Sequence, residues 1–401
     1  MKTYAELLKV RGVTRVVLSQ LLARFPHGML AIAFLIHVES VHNSYAAAGL
    51  VVGAIAVGEA IAGPISSRLM SRWGMRPLLT VMTIVAVITL SSMAIFPFSV
   101  PVLIVLGFIG GCSFPPIQPA VRTIYPKLVP NRLLTPLFSL DATAQEIIWI
   151  VGPVLTTFVA VQIGSVEAVL TAMAFLAGGG LWFITAPSVG QVRIPPSKRR
   201  LGGVLTKAPV IISTLLGLTL VSCFSAVEAG IIALYGKGGA EAGWLLAIYA
   251  LGSLVGGLGW GHREIAPWSM TRRLAVVAIG LSLAIVSTDF WWLALMLFIS
   301  GLGVAPALTV LFANVSATMK FSETAESYAW IGSGQLIGAG LGAAVAGFCI
   351  DHYGAPSAIV AAALFALITT VGAFFTKRWS PDLRGSHGAP LPDTGPVETI
   401  S

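Results

Sequence analysis

Residues 44–96 read SYAAAGLVVGAIAVGEAIAGPISSRLMSRWGMRPLLTVMTIVAVITLSSMAIF. Two apolar runs, 44–65 and 77–96, flank a short connection that carries Arg68, Arg72 and Arg76. Each run is about 20 residues long, the length an α-helix needs to cross a hydrocarbon core of about 30 Å. The stretch therefore predicts a transmembrane helical hairpin with a basic connection on one side of the membrane.

Runs of the same kind recur along the whole chain. They predict about twelve spans, at 13–38, 44–65, 77–96, 101–123, 133–160, 166–186, 208–234, 242–261, 273–288, 291–315, 324–349 and 355–376. Composition agrees: 56% of the 401 residues are apolar, 10% are charged and mean hydropathy is +0.89. A soluble domain carries roughly 25% charged residues, so this chain has too little polar surface to cover itself in water. The net charge of +8 comes with no basic face interleaved with aromatics, so nucleic acid is not an expected partner. Cys112, Cys223 and Cys349 fall in separate apolar runs with no CxxC, so neither a disulfide framework nor a metal cluster is indicated. His37, Glu39 and His42 stand close together but straddle a helix end without a fourth ligand, so no metal or cofactor is expected.

Of the 24 Lys and Arg, 22 fall on one set of connections and termini, only Lys237 on the other, and Arg24 within a span. Cytoplasmic connections hold the excess of positive charge, so both termini are expected in the cytoplasm, with the first residues a cytoplasmic stub. The longest interior polar segment, 187–207, divides the chain into an N-terminal bundle (1–186) and a C-terminal bundle (208–378). The tail from 379 to 401, rich in Pro, Gly and Asp, is expected to be disordered. The halves echo each other: Gly58 matches Gly252, Gly63 matches Gly257, Gly110 and Pro115 match Gly301 and Pro306, and Glu146 falls opposite Gln335. The expected fold is an all-α integral membrane protein of two pseudo-symmetric six-helix bundles.

Together, these features resemble the major facilitator superfamily over essentially the whole chain up to about residue 378. The segment 67–76, SRLMSRWGMR, resembles that family's loop motif G-x-L-x-D-R-x-G-R-R through Leu69, Arg72, Gly74 and Arg76, with Ser71 in place of the Asp. In the family that carboxylate helps lock the two halves; here Glu326 is the expected partner for Arg68 or Arg72. Gly152-Pro153 resembles the Gly-Pro motif of the family's exporter branch. The resemblance implies alternating access around a central cavity, with the third, sixth, ninth and twelfth spans on the lipid side. Those four carry no charge in their predicted interiors.

A charge at mid-membrane is expensive and needs a reason. Arg24, Glu59, Asp141, Glu146 and Glu228 are the charges so placed. Glu146 is the leading candidate for proton coupling, with Arg24 as its expected ion partner and Glu59 as a second carboxyl. An anionic substrate group is another reading of Arg24, and a static ion pair another of Glu146. Asp141, Gln145 and Trp149 recur every four residues and share a helix face. With Arg24, His27, Gln118, Glu228, Asn314, Trp330 and Gln335 they form the expected substrate cavity. Arg122 near Asp141 reads as a gate or structural pair. The chain has no Walker-type phosphate loop, so the proton gradient is the expected energy source. The expected protein is not an enzyme: it is a monomeric, inner-membrane exporter that exchanges a small, partly apolar compound for protons. Uptake or facilitated diffusion, a lipid-modifying enzyme and a non-transporting sensor are the alternatives.

Overall fold

A computed structural model describes residues 2–195, 200–235, 241–384 and 389–393. A short helix, Lys2–Lys9, precedes twelve spans. Those of the N-half are Val13–Arg24 with Pro26–His42, Tyr45–Trp73, Met75–Ile95, Val100–Cys112 with Ile117–Leu128, Leu134–Gln162, and Ser165–Ile184. The C-half comprises Ala208–Tyr235, Glu241–Gly256 continued by a π-helical turn over Gly257–Gly261, Ser269–Ala284, Phe290–Gly301 with Val304–Thr318, Phe321–Tyr353, and Pro356–Thr376. Eleven of these are long and apolar enough to cross a membrane. The ninth, Ser269–Ala284, has 16 residues, about 24 Å of helix, and is the short one.

The breaks fall where sequence chemistry puts them. Pro26 has no N–H to donate and interrupts the first span after Arg24. Ser113–Pro116 interrupts the fourth, and Leu302–Gly303 the tenth. Hence the first, fourth and tenth spans each contain two helical segments.

Glycine sets the close crossings. A Cβ on Gly58 would meet the Phe108 carbonyl oxygen at 2.4 Å, and one on Gly252 would meet that of Phe298 at 2.3 Å. Reciprocally, Gly111 faces the Ile55 carbonyl and Gly301 that of Tyr249. The second-to-fourth crossing is thus repeated in the eighth-to-tenth. It also corrects one expected match, because Gly111, not Gly110, is the counterpart of Gly301. Gly110 packs instead on Leu90 of the third span. In the eleventh span Gly338 and Gly342 lie against the Leu218 and Ser222 carbonyls of the seventh, the small-residue packing that lets membrane helices touch backbone to backbone.

The third, sixth, ninth and twelfth spans turn apolar stripes outward, among them Val81, Ile84 and Ile88, or Leu364, Ile368 and Phe375. Such stripes suit lipid. The face that carries the basic connections, here the basic face, is where the halves meet. Among the described residues, the hydrogen bonds, ion pairs and ring contacts joining the halves run from that face to mid-membrane, at Ala60 and Ser333 (2.6 Å), and none lies beyond. The halves therefore close at the basic face and part towards the opposite one.

The tail departs from expectation in its described parts. Leu383 N–H donates to the Ile265 carbonyl, Leu391 exchanges backbone bonds with Met319 and Phe321, and Asp393 accepts from Ser322 N–H at 3.0 Å. The eleventh span has no side-chain cap of its own, so the Asp393 carboxylate satisfies a helix-start donor that would otherwise be left open. Residues 385–388 and 394–401 of the expected disordered tail lie outside the described residues, as do Lys198, Arg199 and Lys237.

Candidate functional site

The first, fourth and fifth spans bring their polar residues to one point because two glycines let the first and fifth touch. A Cβ on Gly28 would sit 2.4 Å from the Ile148 carbonyl oxygen, and one on Gly152 would sit 3.0 Å from the Gly28 backbone. The Gly152 of the Gly-Pro pair is therefore a packing position for this crossing. One turn towards the basic face, Arg24 donates to Gln20 Oε1 (2.8 Å), Asp141 Oδ1 (3.0 Å) and Gln145 Oε1 (2.5 Å). Arg122 Nε donates to Asp141 Oδ2 at 2.9 Å. Turned so that donors meet acceptors, the Gln118 amide oxygen lies 2.8 Å from both terminal nitrogens of Arg122 and 3.0 Å from Arg24 Nη2.

Asp141 is fully buried, Arg122 is 1% exposed and Arg24 3% exposed. Charges this deep persist only when paired and hydrogen-bonded, and each guanidinium here has its partners. The Arg122 guanidinium also lies 3.3 Å over the Phe312 ring of the tenth span, a cation–π contact that ties the cluster to the C-half.

This arrangement corrects the expected Arg24–Glu146 pair. Asp141 and Gln145 share the face that meets Arg24, and Glu146, one residue on, points about 100° away round the helix. Glu146 is half-buried at the seam with the eighth span, near Ser253. Ser253 accepts from Ala305 N–H. Trp149, on the Asp141 face but beyond the cluster, is 51% exposed. Glu59 pairs with His27: Nε2 to Oε1 is 2.9 Å, and the other ring nitrogen lies 3.2 Å from the Arg24 carbonyl. Both side chains are partly accessible, at 29% for His27 and 23% for Glu59. Accessibility thus changes sharply at mid-membrane, from a sealed cluster on the basic side to reachable carboxyls on the other.

The C-half candidates distribute differently. Glu228 is exposed on the seventh span, beyond the mid-membrane level. Gln335 turns towards Gly217 of the same span. Asn314, 8% exposed, lines a cleft built wholly by the C-half, among Ile212, Met270, Leu311 and Trp379, so it does not face the N-half. A Cβ on Gly202 of the linker would lie 3.9 Å from the Trp330 ring, and Trp330 stands on its helix between Glu326 and Ser333, which both reach the N-half.

The loop motif divides its work. Arg76 holds the end of the sixth span through the Ile184 and Ala186 carbonyls, at 3.0 and 2.9 Å. Gly74 has φ of +86°, a conformation that side-chain-bearing residues rarely adopt. Arg72 is exposed. Arg68 Nη1 reaches Glu326 Oε2 at 3.4 Å across the halves, and Glu326 Oε1 accepts from Gly202 N–H at 2.7 Å. Ser71, where the motif has Asp, donates to the Arg68 carbonyl. Glu326→Gln keeps the Gly202 acceptor and removes only the charge. It should shift the halves towards opening at the basic face by about 1 kcal/mol, a roughly five-fold population change, seen as faster modification of a cysteine placed at the seam.

Gln20, Phe312, Ser139 and Tyr4 join the halves or the cluster without having been singled out in the sequence. Gln20 had a signal, since it lies four residues before Arg24 on one helix face. The others had none, because their partners are distant in sequence.

Paired six-helix bundles that meet on one side only, with charged residues gathered at their interface, define a secondary-transporter architecture. The Major Facilitator Superfamily model matches residues 16–237 and 210–398, and the chain belongs to that family. The chain is similar to the human organic anion transporter MFSD10 (TETRAN), with 14% identity, 90% of this chain and 99% of that one covered, and a TM-score of 0.69. A bacterial homologue of the iron transporter ferroportin in an outward-facing state has 13% identity, 92% and 99% coverage and a TM-score of 0.70. The proton:xylose symporter XylE, bound to 6-bromo-6-deoxy-D-glucose, has 14% identity, 92% and 96% coverage and a TM-score of 0.68. A comparison with curated protein sequences found no match. At such identities the likeness establishes the fold. With the family it makes the chain a multi-pass membrane transporter working by alternating access, not an enzyme.

Proposed function

We propose that the chain is a monomeric, proton-coupled exporter of small, partly apolar compounds in a bacterial inner membrane, with its basic face in the cytoplasm. The carrying observation is the position of Glu146. It is a carboxyl at mid-membrane, half-buried at the seam between the fifth and eighth spans near Ser253 of the C-half, with Arg24 engaged by Asp141 and Gln145 instead. A group on the seam changes its access to water whenever the halves rock, which is what a proton carrier needs. Arg24 acts at one remove, by fixing Gln145, the neighbour of Glu146 in the chain. The Glu59–His27 pair gives a second protonatable site on the N-half wall. The positive-inside asymmetry supports the orientation, and the Gly152-Pro153 resemblance supports export. The opening away from the basic face then faces the periplasm, and the Arg24–Asp141–Arg122 cluster forms its floor.

Proteoliposomes with a compound panel and an imposed pH gradient test this reading. Flux of a transported compound should rise at least ten-fold with the gradient and fall to the leak rate when nigericin collapses it. Equal flux with and without the gradient would overturn proton coupling.

A further inference from the structure

The twelve spans leave one element unexplained: the helix Lys2–Lys9, which lies against both halves on the basic face. Its Leu7 is fully buried, and Glu6 forms an ion pair with Arg132 at the start of the fifth span, so the helix travels with the N-half. Tyr4 crosses the seam. Its hydroxyl lies 2.9 Å from Ser139 Oγ of the fifth span and donates to the Gly257 carbonyl of the eighth at 3.2 Å. The Tyr4 ring stands edge-on to His262, just past the eighth span, with centroids 5.6 Å apart.

The acceptor opens an unusual stretch of backbone. Gly257–Gly261 form a π-helical turn at the end of the eighth span, a rare geometry that recurs at functional sites. Ser139 Oγ donates to the same Gly257 oxygen at 2.9 Å. A Cβ on Gly261 would come within 2.3 Å of Ser139 Oγ, so the glycines are what let the two spans close on each other here. Two hydroxyls anchored in the N-half therefore converge on one carbonyl of the C-half. Burial pushes the Tyr4 phenol up from its usual value, which keeps it a donor.

Alternating access requires the fifth and eighth spans to part at this point, and both bonds must then break. We infer that Tyr4 is a gating residue and that the helix Lys2–Lys9 is a latch holding the basic face closed through the Gly257 carbonyl. The latch stays with the N-half when the face opens, releasing Gly257 and His262 together. Its strength sets how often the transporter opens on that side.

Spin labels at Arg72→Cys and Arg263→Cys, both exposed and on opposite halves, report the separation. The background replaces Cys112, Cys223 and Cys349 with Ala, and pulsed dipolar distances are measured in full-length protein in nanodiscs. Tyr4→Phe keeps the ring and its His262 contact and removes one hydroxyl, so it preserves the fold. It should raise the longer-distance population roughly five-fold, the size of one hydrogen bond. Deleting residues 2–9 should raise it further. Unchanged distributions in both variants would overturn the latch. A shift on deletion with none in Tyr4→Phe would overturn the assignment to Tyr4.

Discussion

Asp141→Asn is expected to destabilise the protein by about 3–5 kcal/mol and to abolish transport, because it leaves two buried guanidiniums without a carboxylate. Asp141 receives Arg24 at one oxygen and Arg122 at the other, and Gln20 also donates to it. None of the three charged groups is more than 4% exposed, so water screens the loss hardly at all. Asn preserves the shape, and its amide turns a donor towards donors. Gln145→Ala removes one neutral acceptor from the same cluster and should cost about 1 kcal/mol. Thermal unfolding in detergent, followed by size-exclusion recovery, separates the two. An Asp141→Asn protein as stable as Gln145→Ala would contradict the reading of the cluster as a floor held together by its one carboxylate.

Glu146→Gln should do the reverse: little harm to the fold, and complete loss of compound-driven proton movement. Among the described residues the carboxyl has no cationic partner to strand, and a glutamine amide keeps its shape and its polarity. What it loses is the ability to take up and release a proton. Glu59→Gln offers the contrast. It disrupts a pair with His27 at 2.9 Å and should weaken the packing of the second span on the first, with transport reduced and not lost.

The sequence alone made the bundle legible, because apolar runs of membrane length and lopsided basic connections are properties of single segments. The repeat was legible too, through Gly58 and Gly252, which the structure places at equivalent crossings. The partner of Arg24 was not. Helical spacing puts Asp141, Gln145 and Trp149 on one face, but which face of the fifth span meets the first is set by the Gly28–Gly152 contact, a fact about two distant segments. Asn314 was misplaced for the same reason: polarity marks a residue as notable without saying which neighbour it faces. Tyr4 was invisible in a polar stub, since its meaning lies in a carbonyl 253 residues away.

Proton release from everted membrane vesicles, with the wild type and Glu146→Gln side by side, tests the coupling role of Glu146 most directly. The lumen is acidified by respiration and a compound panel is added. With the wild type, a transported compound should discharge the acidified lumen within seconds, and Glu146→Gln, present at equal abundance, should leave it acid. Equal discharge by both proteins would contradict the assignment and move the coupling to Glu59 or Glu228.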